Sequence, residues 1–123
     1  MTVKTTTLDD ALATISPLLM KMDVEGFEGE VFAGAVATLR NPSLQAMIVE
    51  MNGAGNRYGF DETALHQKIR DHGFQPCSYE PFKRELIRQP GATDGNIIYV
   101  RDIESARQRL RAAPPFHFKG FTV

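Results

Sequence analysis

Leu18-Leu19-Met20-Lys21-Met22-Asp23-Val24-Glu25-Gly26 reads as a buried parallel β-strand running into a glycine turn. Side chains on a strand alternate between faces, so Lys21, Asp23 and Glu25 share one face and Met20, Met22 and Val24 the other. A parallel strand covered on both sides is apolar throughout. A lysine and an acid near its end cost several kcal/mol if buried alone. They must pair, reach solvent or line a site.

Working outward, Thr7 is placed to cap a short helix running to about Ile15, which Ser16-Pro17 stops. After the strand, Glu28 to Leu39 carries Val31, Ala35 and Leu39 at helical spacing, with acids in its first turn and Arg40 at its end. Asn41-Pro42 ends this helix. Gln45 to Met51, with Ala46-Met47-Ile48-Val49 at its centre, is a second buried strand, and Asn52 to Asn56 is a loop. Asp61 caps a helix through His72, with Leu65 and Ile69 inward and Gly73 as the stop. Phe74 to Tyr79 is a third strand, and Pro76 argues for an edge position. Pro81 to Gly95 is a long connection, Asn96 to Val100 a clear strand, and Asp102 caps a last helix. That helix turns Ile103, Ala106 and Leu110 inward and Arg107, Arg109 and Arg111 to solvent. Pro114-Pro115 ends it, and Phe116 to Val123 is an extended tail suited to pairing at a sheet edge.

Strands alternating with helices of this length indicate βαβ units and a parallel sheet. The last two strands have no helix between them and should pair antiparallel at one edge. The strand at Leu18 to Asp23 is then left with one side bare, and an exposed apolar edge invites another chain. This makes a homo-oligomer or a partner chain at that edge an expectation, with a non-catalytic assembly module as the alternative reading of the protein.

With 123 residues the chain holds one domain. Its 42% hydrophobic and 24% charged residues exclude a disordered chain or a disulfide scaffold. Net charge is -1 with no basic run, so neither nucleic acid nor a membrane surface is expected as a partner. No apolar run is long enough to cross a bilayer, and Met1 to Asp10 has no signal-peptide core. Cys77 is the single cysteine, so the default is a reducing compartment, the cytoplasm.

In open α/β sheets, ligands bind beyond the carboxyl ends of the strands. Asp23 and Glu25 lie there, Glu50 ends the second strand in the same way, and Asn52 follows just beyond. Three carboxylates therefore converge on one rim. The plainer reading is an internal Lys21–Asp23 ion pair, with Glu25 and Glu28 as favourable charges at a helix N-terminus. His66, His72 and His117 share no metal-ligand spacing, Cys77 has no activating neighbour, and no metal is expected. Tyr58, Phe60, Tyr79 and Phe82 suit an acceptor pocket and core packing equally well.

The longer string from Leu19 to Glu28, followed by Val31-Phe32-Ala33-Gly34-Ala35, resembles the signature of the FkbM family of S-adenosylmethionine-dependent methyltransferases. Lys21, Asp23, Glu25, Gly26, Glu28, Gly34 and Ala35 fill its places. Thr7-Leu8-Asp9-Asp10 is similar to an element the family carries before that strand. Val49-Glu50, His72-Gly73-Phe74 and Asn96 to Val100 resemble its later elements, so the resemblance extends from about Val3 to about Leu110. It implies O-methyl transfer from S-adenosylmethionine to a hydroxyl of a small molecule or sugar. The implied fold is α/β: a partial Rossmann-like methyltransferase sheet, mostly parallel with an antiparallel edge and helices on both faces. On that template residues 1–123 supply the fourth strand onward, the C-terminal portion of the domain. The glycine-rich turn and acidic strand end that hold the cofactor would precede it, and Gly53-Ala54-Gly55 is no substitute. Methyl transfer needs an acceptor hydroxyl in line with the methyl group and often a base for its proton. Asp23 is the candidate base, Lys21 orients it, and Glu25, Glu50 and Asn52 are candidates to bind the acceptor.

Overall fold

The computed structural model describes residues 1–51, 59, 61–91 and 95–122. In order they form α1 (Leu8–Ala11), β1 (Leu19–Met22), α2 (Glu28–Ala33), α3 (Val36–Arg40), β2 (Ala46–Met51) and α4 (Glu62–Asp71). Then follow β3 (Gln75–Glu80), β4 (Glu85–Arg88), β5 (Gly95–Val100), α5 (Ile103–Ala112), β6 (His117–Phe118) and β7 (Phe121–Thr122). Strands β1 to β5 make one sheet in the order β1-β2-β5-β3-β4, and β6–β7 is a separate hairpin.

The α/β class and the antiparallel pairing of β3 with β5 are as expected, but the sheet is mixed rather than mostly parallel. Only β1–β2 is a parallel pair among those described; β2–β5, β5–β3 and β3–β4 are antiparallel. The cause lies in residues 81–91, read from the sequence as a connection. Part of this stretch is β4, which makes a tight hairpin with β3. With no helix between β4 and β5 among the described residues, β5 returns in reverse and inserts between β2 and β3. Strands β1, β2 and β3 still run the same way, so their carboxyl ends mark one end of the sheet.

Pro76 does not put β3 at an edge, because β3 lies between β5 and β4. A strand residue directs its N and O to the same side, and the Pro76 carbonyl accepts the Gln89 N–H at 2.9 Å, just past the end of β4. The proline therefore keeps its acceptor and gives up only the reciprocal bond to Gln89, at the end of the β3–β4 ladder. The tail likewise pairs with itself through Phe118↔Phe121 rather than extending the sheet.

The expected helix from Glu28 to Leu39 is two helices, broken at Gly34-Ala35. Segment Thr7–Asp10 docks on this break. The Asp9 N–H donates to the Gly34 carbonyl at 2.9 Å, and a Cβ at Gly34 would stand 3.2 Å from Thr7 Cβ. Ala35 offers no side chain to cap α3. Asp9 does so instead, accepting the N–H groups of Ala37 and Thr38 at 2.9 and 2.8 Å and the Thr38 hydroxyl at 2.7 Å. These bonds hold the Asp9 carboxyl below its ordinary value, the Ala37 amide most of all. Thr7, Asp61 and Asp102 cap their helices as the sequence predicts, although α1 ends at Ala11 rather than near Ile15.

Two cores sandwich the sheet. One face carries Met22, Met47, Val49, Met51, Ile97 and Tyr99 beneath Phe32 and Leu39 of α2–α3 and Leu65 and Ile69 of α4. The other carries Cys77, Leu86 and Val100 beneath Ile103, Ala106 and Leu110 of α5. Arg101 closes the amino end of β2, donating to the carbonyls of Leu44, His72 and Leu39 at 3.0, 2.7 and 2.7 Å. Its guanidinium lies 4.2 Å from the centre of the Phe74 ring. Two helix C-termini are thereby tied to the sheet by one side chain.

Candidate functional site at the carboxyl ends of β1 and β2

Register places Lys21 beside Ile48 and Met22 beside Val49. Glu50 is two residues beyond Ile48 and so shares the face of Lys21, which Asp23 extends past the end of β1. Lys21 Nζ and Asp23 Oδ2 are 2.8 Å apart, with both side chains about half exposed, at 53% and 43%. The ion pair of the plainer reading therefore exists, but at the surface rather than inside the sheet. β1 is itself less covered than the sequence implied: of its four residues only Met22 is buried, and Leu19 is 55% exposed. The strand is an edge, and among the described residues nothing flanks its outer side.

Glu50 stands beside this pair on the neighbouring strand. Its carboxyl is pushed above the usual range, chiefly by the negative charge of Asp23, then by burial, by a hydrogen bond with Asp23 and by the charge of Glu25, while Lys21 opposes the shift. Asp23 is held below the usual range, first by its hydrogen bond to Lys21 and then by the lysine's charge.

Glu25 stands at the turn that follows. Val24 to Phe27 is closed by the Phe27 N–H donating to the Val24 carbonyl at 3.2 Å, with φ of 52° at Glu25 and 97° at Gly26. Glycine adopts that conformation freely; for glutamate it costs on the order of 1 kcal/mol. Glu28 holds the turn in place. Its side chain is 6% exposed, and its carboxylate accepts the Gly26 N–H at 3.0 Å. The sequence allowed Glu28 only a charge effect on the helix; its role is to fix the turn that presents Glu25.

The rim thus brings together Lys21, Asp23 and Glu50 and places Glu25 within electrostatic reach. Asn52 lies outside the described residues, as do Tyr58 and Phe60. No cluster of three His, Cys, Asp or Glu side chains suited to a metal ion occurs among the described residues.

The polar residues elsewhere are structural. His66 Nδ1 and the Tyr99 hydroxyl are hydrogen-bonded, and burial holds the Tyr99 phenol above its ordinary value. Cys77 is buried, and burial raises its thiol. Arg107, expected in solvent, instead donates to the Leu86 carbonyl from Nε and Nη2 at 3.0 and 2.9 Å, tying α5 to β4.

Comparison with known proteins agrees with the motif that runs through this rim. The family model described as the methyltransferase FkbM domain matches residues 1–76, which include α1, the β1 rim, β2 and α4. The match stops short of β5, although the sequence resemblance extended to it. No curated protein and no solved structure gives a match. The matched span covers more than half of the chain, and the chain belongs to the FkbM methyltransferase domain family.

Proposed function

We propose that this chain carries the acceptor side of an O-methyltransferase that uses S-adenosylmethionine and methylates a hydroxyl of a small molecule or sugar. The observation that carries the reading is the meeting of Asp23, its ion-pair partner Lys21 and Glu50 at the carboxyl end of β1–β2, the only parallel pair among the described residues. A polyol or sugar presents hydroxyls that donate to such carboxylates, and ligands of open α/β sheets sit at this end. With Lys21 drawing on Asp23, Glu50 is the more basic of the two and takes the acceptor's proton; Asp23, oriented by Lys21, fixes the hydroxyl. This moves the base from Asp23, the sequence-based candidate, to its neighbour.

The described residues do not fit the methionine end of the cofactor. In the turn after β1 the Gly26 N–H is already bonded to Glu28 and the Phe27 N–H to the Val24 carbonyl. The surrounding charges are negative. No glycine-rich strand-to-helix turn occurs elsewhere among the described residues. Cofactor binding therefore falls to residues other than these, and the share assigned here to the chain is the acceptor hydroxyl and its proton.

The test is a pair of titrations on the isolated polypeptide. Amide shifts recorded against a panel of sugars and polyols should move at Asp23, Glu25 and Glu50, and calorimetry with S-adenosylmethionine should give no tight complex. One-to-one cofactor binding at micromolar concentration, or a panel that leaves the rim unmoved, would overturn the assignment.

A second reading rests on the open edge of β1. In it the four residues Leu19–Met22 receive a strand from another copy or chain, and the protein is an assembly module. Sedimentation equilibrium separates the two: a monomer at high concentration speaks against self-pairing.

A further inference from the structure

The carboxyl end of β3 carries a second surface, unrelated to the carboxylate rim in its chemistry. The β3–β4 turn, Pro81 to Arg84, closes with the Arg84 N–H donating to the Pro81 carbonyl at 3.2 Å, and Arg84 takes a φ of 52°. At its corner Phe82 is 66% exposed. Beside it, Phe118 and Phe121 are directly paired across the β6–β7 hairpin. They therefore share a face with each other, and Phe116 lies just before β6. All three are about 60% exposed, and Phe82 meets Phe121 edge to face at 6.0 Å between ring centres. Phe82 on the turn and Phe118 and Phe121 on the hairpin thus form one outward patch; the hairpin's strands have two residues each, and none of those residues is buried. Isolated hairpins of that size are marginal in water, and contiguous exposed apolar patches mark interaction sites.

Cations surround the patch. Lys119 Nζ lies 5.4 Å from the centre of the Phe118 ring. Lys83 follows Phe82 directly, and Arg84 Nη2 donates to the Ala113 carbonyl at 2.6 Å, anchoring the turn to the end of α5 beside Arg111. From Ser105 to Val123 the chain has three arginines and a lysine and no acid. The acids at hand are Glu80, which accepts the Phe82 N–H at 3.2 Å, and Glu85.

We infer that the Phe82 turn and the β6–β7 hairpin together dock on an anionic lipid surface, the phenylalanines entering the headgroup boundary while Lys83, Arg111 and Lys119 meet lipid phosphates. Binding of this kind scales with buried apolar area plus attraction to anionic headgroups. Charge complementarity selects this occupant. A second copy would bring like cations together, and unadorned phenylalanine rings suit an apolar boundary better than the polar edges of bases. The inference runs against the sequence reading, which expected no membrane surface as a partner because these residues are scattered between positions 82 and 121 and the net charge is near zero.

Co-sedimentation of the full chain with vesicles is the test. Vesicles of phosphatidylcholine and phosphatidylserine should carry the protein down, phosphatidylcholine alone should not, and high salt should release it. Lys83→Ala and Lys119→Ala should each weaken binding about fivefold. The double variant Phe82→Ser with Phe121→Ser should abolish binding with its thermal melt unchanged, since both side chains are already in solvent. Four results overturn the inference: no sedimentation with anionic vesicles; undiminished binding by the phenylalanine variant; equal binding to single-stranded DNA that the variant keeps; or a phenylalanine-dependent dimer without vesicle binding. None of them bears on the Asp23–Glu50 pair, which is tested separately by the sugar titration.

Discussion

One face of the sheet sets Met22, Met47, Val49, Ile97 and Tyr99 under three helices and seals them almost completely. The other sets Leu19, Lys21, Ile48 and Glu50 on the same strands, with α5 reaching no farther than Ala46. A groove of about 820 Å³ runs there between α5 and β1, lined by Leu18, Leu19, Ala46, Ile98 and Leu110 among others. The two faces alternate along the same residues of β1, so the contrast is not one of local propensity. It shows where the charges were tolerable. Lys21, Asp23 and Glu50 lie on the part of that face beyond the reach of α5, where they keep water and avoid most of the desolvation that a closed sheet would impose.

The contrast is broken most directly by truncating one apolar residue on each side. Leu39→Ala, in the sealed core, should cost about 2 to 5 kcal/mol; Leu19→Ala, on the open face, should stay within about 0.5 kcal/mol. Urea denaturation of the two variants checks the difference, and equal losses would mean that the open face is covered in solution.

Arg101→Ala comes next, at about 2 to 4 kcal/mol, because three carbonyls lose a charged donor and Phe74 loses its cover. Arg101→Lys should rescue little, since an ammonium group cannot fork to three acceptors.

Asp9→Ala should cost about 1 kcal/mol, as loss of a helix cap does. Its pH dependence has a definite sign. The folded-state value is depressed, so the contribution is present above the ordinary carboxyl value of 3.8 and fades as pH falls through the folded value. Melts of wild type and variant should differ at neutral pH and converge in strong acid.

Much of this was legible in the sequence, and unevenly so. The caps at Thr7, Asp61 and Asp102 are local and were read correctly. So was the meeting of Glu50 with Asp23, because strand alternation and parallel pairing suffice to place it. The failures were all long-range. Nothing local in Gly34-Ala35 announces that Asp9, from an earlier segment, will cap α3 and split the helix. Residues 85–88, Glu-Leu-Ile-Arg, are too short and too charged to signal a strand, and missing β4 concealed the reversal of β5. The exposure of Leu18 and Leu19 was misjudged because hydrophobicity was taken to mean burial, a rule that holds only where a neighbour exists to cover the surface.

Whether Asp23 and Glu50 act on one another as a single acidic site at the carboxyl ends of β1 and β2 is answered most directly by following their side-chain carboxyl carbons by NMR as pH is varied. The account predicts that Asp23 titrates below the ordinary carboxyl range and Glu50 above it, and that Lys21→Met draws Asp23 upward. Two independent titrations at ordinary values, unmoved by Lys21→Met, would contradict it.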